Sequence, residues 1–452
     1  MSLILRSNYH GADSFNFYVL MNMIKYLLLL VAFVASLTSC SEKKVPAGDL
    51  PVINLSDNVE EVTSLPLSDA AAQVEIVPLE LTDSSLIAEV SNVQVTEHDI
   101  WVKSSKSQSV FRFSREGKFL NKVGRVGQGP GEYSYLGGFM VDEDRQEVYL
   151  TTVSNGVYAY DFNGAFKWTI ASTQTINTHF KRGLGIGYTR FQGHFLATAS
   201  SPIITPCSKD SLWALAALDS CFQIRKMFRN PAYEGHEDFI LKQRESGMSS
   251  YWVETSPSID TYNGRMTVKF DDTDILYMYD AEHETLSPQY TLFSREDKGD
   301  YEQTHQWLKT RKAFDGLYLT AHYDTKDYIY LIGRKGEETR IYCYDKQNGK
   351  VRLLKGEGQI TERPITSKAV FRRFEGKYRL TNDLCGGNFQ LNYRSGGKYW
   401  VNVFTSEDEI DVDMLRTVEV KDAPMRDRFV KELENLRDNE DSNPLLMIVP
   451  LK

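Results

Sequence analysis

The sequence predicts an all-β fold, a six-bladed β-propeller with short helical insertions and a C-terminal helix. Three observations carry that reading. A strand–turn–strand motif repeats without a gap at a separation of 47 residues, Val110 to Phe119 matching Val157 to Phe166. The 452 residues include 25 Tyr and 23 Phe, set with β-branched residues in short alternating runs, and long helical heptads are missing. Finally, the motif returns three more times around an aspartate that ends one strand. A four-stranded unit recurring every ~45 residues is the mark of a propeller blade.

The elements follow in chain order. Lys25 precedes the apolar stretch Tyr26 to Leu37, and small residues follow it. This is the charged start, short apolar core and small-residue end of a secretory signal. The stretch is shorter than the ~20 residues that a membrane span needs. It ends in Leu37-Thr38-Ser39-Cys40, which resembles the lipobox of bacterial lipoproteins, with the Cys40 thiol as the expected lipid attachment. A plain cleaved signal with an incidental cysteine is the alternative. Residues 1–20 fit no signal, and Met21 or Met23 is the expected start. Residues 1–40 are therefore read as leader. Residues 41–71, with Pro46, Pro51 and Pro66, are read as a tether, and residues 72–452 as the propeller.

Regular strands begin near Val74 to Leu79. Five units follow, with turn positions at Ser114, Asp161, Asp219, Asp280 and Asp345. An Asp there accepts backbone N–H bonds and holds the turn, so these carboxylates are assigned to turn chemistry and not to catalysis. Lys398 to Val403 marks a sixth unit. A propeller avoids an open edge by mixing its termini into one blade, here through Val74 to Leu79 or Leu445 to Val449. Residues 229–250 and 295–315 exceed a minimal blade, the second with helical character from Glu302 to Ala313. Phe429, Leu433 and Leu436 recur at helical spacing, so Asp427 to Leu436 is the C-terminal helix.

Composition limits the function. The net charge is −9 for the whole chain and −10 once Arg6, Lys25 and Asp13 leave with the leader. An acidic chain lacks the basic footprint of a nucleic-acid binder. Cys207, Cys221, Cys343 and Cys385 show no zinc spacing. A Cys207–Cys221 bridge across a hairpin is one reading, and four buried small hydrophobes the other. No H-E-x-x-H or G-x-S-x-G occurs, and His236-Glu237-Asp238 is a poor chelate because neighbours on an extended chain face opposite ways. No catalytic, metal or cofactor residues are assigned. One cluster stands out: Arg363, Lys368, Arg372, Arg373, Lys377 and Arg379 are opposed only by Glu375. It is read either as an anion-binding rim or as a solvated connection between blades.

The segment Gly124-Arg125-Val126-Gly127-Gln128-Gly129-Pro130-Gly131-Glu132-Tyr133 resembles the loop of NHL-type propellers. With Val77-Pro78-Leu79-Glu80, Asn382 to Gly387 and Asn443-Pro444-Leu445, in that order, the chain resembles the six-bladed β-propeller lipoproteins of Bacteroidota over roughly residues 45 to 452. Family members more often carry Asp where Cys385 stands. The resemblance implies an extracytoplasmic, lipid-anchored protein and no settled activity; the expected role is that of a binding or scaffold module for a glycan, peptide or envelope protein. Its rivals are a metal-dependent hydrolase, lactonase or lyase of propeller type, and an accessory or sensor subunit of an outer-membrane uptake system. The glycine-rich segment itself lacks the Lys-Ser/Thr of a phosphate loop and reads as a crossing between blades.

Overall fold

The structure is a computed structural model that describes residues 48–152, 156–170, 186–199, 212–238, 257–296, 298, 302, 315–366, 369–406, 408, 410–439 and 441–452. Cys40, the leader, Cys207 and most of the expected 302–313 helix lie outside the described residues. Among the described residues six four-stranded antiparallel blades follow one another along the chain, with a two-stranded sheet, Arg379–Thr381 and Asn388–Gln390, between the last two. Blade 1 is Val90–Val95, Asp99–Ser104, Ser109–Ser114 and Phe119–Val123, and blade 2 is Leu136–Asp142, Glu147–Thr152, Val157–Asp161 and Phe166–Ile170. Blade 3 is Ile186–Phe191, His194–Ala199, Leu215–Leu218 and Ile224–Phe228, and blade 4 is Ser258–Tyr262, Arg265–Lys269, Ile275–Asp280 and Thr285–Phe293. Blade 5 is Leu317–Asp324, Tyr328–Lys335, Glu338–Asp345 and Val351–Thr366. Blade 6 takes Tyr393–Ser395, Tyr399–Phe404 and Leu445–Pro450 from the end of the chain. The first strands of blades 2 and 3, of blades 4 and 5 and of blades 6 and 1 touch, which places them on the inner wall of the ring.

Three strands at the start of the chain complete the outside: β1 (Val52–Asn54), β2 (Val59–Val62) and β3 (Glu75–Pro78). β3 is the outermost strand of blade 6, antiparallel to Leu445–Pro450, so both expected closing segments meet in one sheet. β1 runs parallel to the outer strand of blade 4 and β2 parallel to that of blade 5. Residues 52–62 are therefore not the tether expected from the sequence. They are a strap that laces blade 4 to blade 5 before the chain enters blade 6. Their prolines concealed this, because Pro51 and Pro66 flank the short strands without interrupting them. Acidic strap residues pair with basic receivers on the blades: Asp57 with Arg295, Glu61 with Lys355, Asp69 with Arg352 and Glu75 with Arg115.

The hydrophobic core is divided among the junctions between blades. Six buried clusters fill the six interfaces, such as Trp101, Leu136, Leu150 and Phe162 between blades 1 and 2. Each fully buried large side chain contributes about 1.5–3 kcal/mol, so the blades hold one another rather than standing alone. The C-terminal helix is longer than expected and has a short companion, α1 (Val412–Thr417) and α2 (Ala423–Asp438). Asp411 and Asp422 cap them, each accepting a backbone N–H three residues on. α2 buries Phe429, Val430, Leu433 and Leu436 against the junction of blades 5 and 6. Among the described residues no helix is long and apolar enough to cross a membrane.

Candidate functional site

The turn residues behave as the sequence predicts. Asp161 Oδ1 accepts from the backbone N–H groups of Asn163 and Ala165, and Asp219 Oδ1 from those of Cys221 and Gln223. Asp280 and Asp345 do the same two and three residues on. These carboxylates are spent on turns.

The glycine-rich loop is also architecture. Glu132 accepts from the Gly129 N–H at 2.8 Å and pairs with Arg125, so the loop closes around its own carboxylate. Those bonds hold the Glu132 carboxyl below its ordinary range, the Gly129 N–H first and Arg125 next. Tyr133 Oη donates to the Gln108 carbonyl of blade 1 at 2.7 Å. The other three motifs lock the ring. Asn443 is buried and bonds to Ile87 N–H and to the carbonyls of Glu80 and Ser85, all at 2.8 Å. Glu80 accepts from the Phe119 N–H and from Lys118. Asn382 accepts from the Cys385 N–H, while Asp383 holds both Ser68 of the strap and Lys421 ahead of α2.

Sequence reasoning missed a polar ring on the inner wall. Gln94 of blade 1 bonds to Phe139 O and Val141 N of blade 2. Asp142 of blade 2 pairs with Arg190 of blade 3 at 2.8 Å, and Ser395 of blade 6 bonds to Val95 of blade 1 in both directions. The densest sector lies across blades 4 to 6. Asp260 accepts from the Asp324 N–H at 2.5 Å and faces Arg394 at 3.2 Å. Arg394 donates to the His322 carbonyl at 2.9 Å and stacks over Tyr323 at 4.5 Å. His322 shares a 2.8 Å hydrogen bond with Thr267, and the Lys269 ammonium donates to the Phe270 and Leu319 carbonyls. Such positions are scattered over 135 residues and carry no local signal.

The electrostatics of this sector follow from burial. Burial pushes the Asp260 carboxyl up to about 6, with Arg394 opposing. It pushes His322 well below its ordinary value, aided by the charges of Arg394 and Lys269, so the imidazole is neutral. Lys269 is lowered by the same desolvation, against the pull of Asp271, Asp272 and Asp274. His322 is 0% and Asp260 4% exposed, whereas the Arg394 side chain is 29% exposed. Acid–base chemistry needs contact with a substrate; of Asp260, His322 and Arg394 only the Arg394 side chain is partly exposed, and its guanidinium is already paired with Asp260. The sector is built to hold the wall together.

The basic residues singled out in sequence occupy a different place. The outer strand of blade 5 pairs within its sheet up to Glu357 and then runs on. From Gly358 to Thr366 it pairs with Ala369–Gly376 alone, forming a two-stranded arm. Register sets Arg363 opposite Phe371, Arg372 opposite Glu362 and Arg373 opposite Thr361. For these three arginines the backbone alone is described, and Lys368 lies outside the described residues. Lys377 and Arg379 are exposed at the root of the arm. The cluster thus lies on and beside a hairpin that follows the outer strand of blade 5. Cys343 and Cys385 are buried with thiols pushed up to about 12, whereas Cys221 is an exposed free thiol, contrary to the uniform burial expected. Among the described residues no three His, Cys, Asp or Glu side chains converge in a set able to hold a metal ion.

A family profile described as "Domain of unknown function (DUF4934)" matches residues 50–450. A Bacteroides fragilis NCTC 9343 protein described as exported is similar in structure, with a TM-score of 0.55 at 16% identity over 89% of this chain and 99% of that one. A DUF4221-family member from Bacteroides vulgatus ATCC 8482 aligns with a TM-score of 0.38 at 11% identity over 68% of this chain and 97% of that one. No curated protein matches significantly. The likeness to the Bacteroides fragilis protein shows the fold.

Proposed function

The chain belongs to the DUF4934 family, a membership that leaves its task to be read from this molecule, and we propose that it is an extracytoplasmic lipid-anchored binding or scaffold protein. The anchor is Cys40, in the lipobox-like sequence after the apolar leader. The description of the Bacteroides fragilis propeller as exported agrees with that placement. The observation that carries the binding role is the arm of blade 5. A blade needs four strands, and residues 358–376 add a hairpin whose backbone ladder runs between its own two strands, beyond the fourth strand of blade 5. In a chain of net charge −9, that hairpin and its root concentrate the basic residues. The partner it suits is anionic: a glycan acid, an acidic peptide face or a phosphate-bearing surface.

The test is binding of the mature protein in detergent to a sulfated polysaccharide, by calorimetry at 50 and 300 mM NaCl. Binding that weakens at least tenfold at the higher salt, and in the triple variant Arg363→Ala, Arg372→Ala, Arg373→Ala, is the expected result. Salt-independent binding, or a variant that binds as the parent does, would remove the arm from the function. Mass spectrometry of the membrane fraction checks the anchor, since Cys40→Ser should abolish a diacylglyceryl adduct on that residue.

A further inference from the structure

We infer that the inner wall carries a binding site for a singly charged carboxylate, centred on the Lys103 ammonium where blade 1 meets blade 2. The site stands apart from the arm and does not depend on it. Lys103 lies opposite Asn92 in the ladder of blade 1, so the two side chains share one face of the sheet. Gln94 and Trp101, two residues along each strand, share that face, and both reach blade 2. Lys103 Nζ does the same, donating to the Gly137 carbonyl of blade 2 at 2.8 Å. Gly137 is the extra residue where the first strand of blade 2 shifts register, and Ser91 is its counterpart in blade 1. Bulges of this kind re-aim side chains beside binding sites. Ser91 and Gly137 are both exposed, so the wall opens where the ammonium arrives, and Gly137 has no side chain to fill the space.

Blade 4, opposite blade 1 in the ring of six, contains the same device in a sealed form. Lys269 lies opposite Ser258 as Lys103 lies opposite Asn92, and its ammonium donates to the Leu319 carbonyl of blade 5, next to the register shift at Thr320. Lys269 is 2% exposed, bonds to a second carbonyl, that of Phe270, and feels the charges of Asp271, Asp272 and Asp274. Lys103 is half-buried, bonds to one carbonyl and faces no carboxylate among the described residues. Burial, which lowers its pKa, is the one influence acting on it. The arginines of the inner wall, by contrast, each face an acid, Arg190 with Asp142 and Arg394 with Asp260. A partly desolvated charge is costly without a counter-charge, and an ammonium has three donors, of which Lys103 uses one. Asn92 supplies further donors, since its side-chain amide makes no hydrogen bond among the described residues. One positive charge and one amide match the two oxygens of a carboxylate. A sulfate or phosphate dianion would be left half-neutralised beside the exposed Glu89.

The experiment reads the ammonium itself. Lysines of the mature protein in detergent are acetylated with N-hydroxysuccinimidyl acetate, and the rate at each is followed by peptide mass spectrometry. A carboxylate seated on Lys103 raises its pKa and covers it, so its labelling slows. The reaction is run at one ionic strength in sodium chloride, in sodium chloride with galactose, and in the sodium salts of propionate, galacturonate and sulfate. The expected result is labelling of Lys103 at least fivefold slower in 100 mM propionate or galacturonate than in chloride or galactose, with the exposed Lys106 and Lys118 unchanged. Asn92→Ala should weaken that protection at least threefold. Equal rates at Lys103 in all five solutions overturn the inference. Equal protection by sulfate overturns it too, because the site then holds an adventitious ion only. Protection undiminished in Asn92→Ala removes the carboxylate from this wall. Far-ultraviolet circular dichroism of the variant keeps a folding defect from passing as a lost contact.

Discussion

Gly117 and Gly349 occupy equivalent turns between the third and fourth strands of blades 1 and 5, yet they differ in what a side chain would meet. Both have positive φ, +84° and +73°. A methyl group on Gly117 would overlap the Pro78 carbonyl oxygen of blade 6, whereas nothing lies within 4 Å of Gly349. Gly349→Ala should therefore cost about 1 kcal/mol, the backbone term alone. Gly117→Ala should cost about 2–4 kcal/mol, because the obstacle is backbone in a packed strand. Urea unfolding of the two variants measures both. Equal losses would mean that the turn of blade 1 does not press on blade 6. Asp260 gives a prediction in pH. Its folded carboxyl lies near 6, above its ordinary 3.8, so between pH 4 and 6 the folded state binds more protons than the unfolded one. That contribution to stability is complete below about pH 4 and is lost as pH rises through about 6, by about 3 kcal/mol. Asp260→Asn should lack this slope, and superimposable pH profiles of parent and variant would refute the assignment. The turn aspartates were legible at this scale, since Asp followed by a tight turn has one job. Asp260, His322 and Arg394 were not, because their meaning comes only from which blades meet.

At the scale of elements, the strap is the least expected part. β1 and β2 are three and four residues long and sit on outer edges, held by one ladder each and by ion pairs at the surface. Ile53, Leu55, Leu65 and Leu67 nonetheless bury completely or nearly so. Such an element opens by itself before the blades do. Native-state hydrogen exchange should find the amides of Val52–Asn54 and Val59–Val62 at least tenfold less protected than those of Trp101–Val102 and Val148–Leu150. Equal protection would make the strap part of the global unfolding unit. The sequence concealed it for a physical reason: a three-residue parallel strand has no period to detect, and its partners are more than 200 residues away. The arm was half legible. Its charge was plain, whereas its hairpin was hidden, because Pro364 and the register shift beside it break the alternation that marks a strand.

For the whole molecule, the ring could be counted from the sequence because its repeat is written in turns, and turns depend on local chemistry. Closure could be assigned to either terminus because only an N-terminal or C-terminal strand can finish a ring without an open edge. The motifs that bear the family resemblance prove to be the fasteners of that closure: Asn443, Glu80, Asn382 and Asp383 all join segments more than 35 residues apart, Asn443 and Asp383 by more than 300. The same closure fixes an order of events. The strap and β3 are made first, but their partners are Thr291 to Phe293, Val351 to Leu354 and Leu445 to Ile448. β1 therefore waits for blade 4, β2 for blade 5 and β3 for the last strand of the chain, and contacts of such separation form slowly. A chain arranged in this way keeps its leading end open until late and becomes a ring only when the final strand arrives.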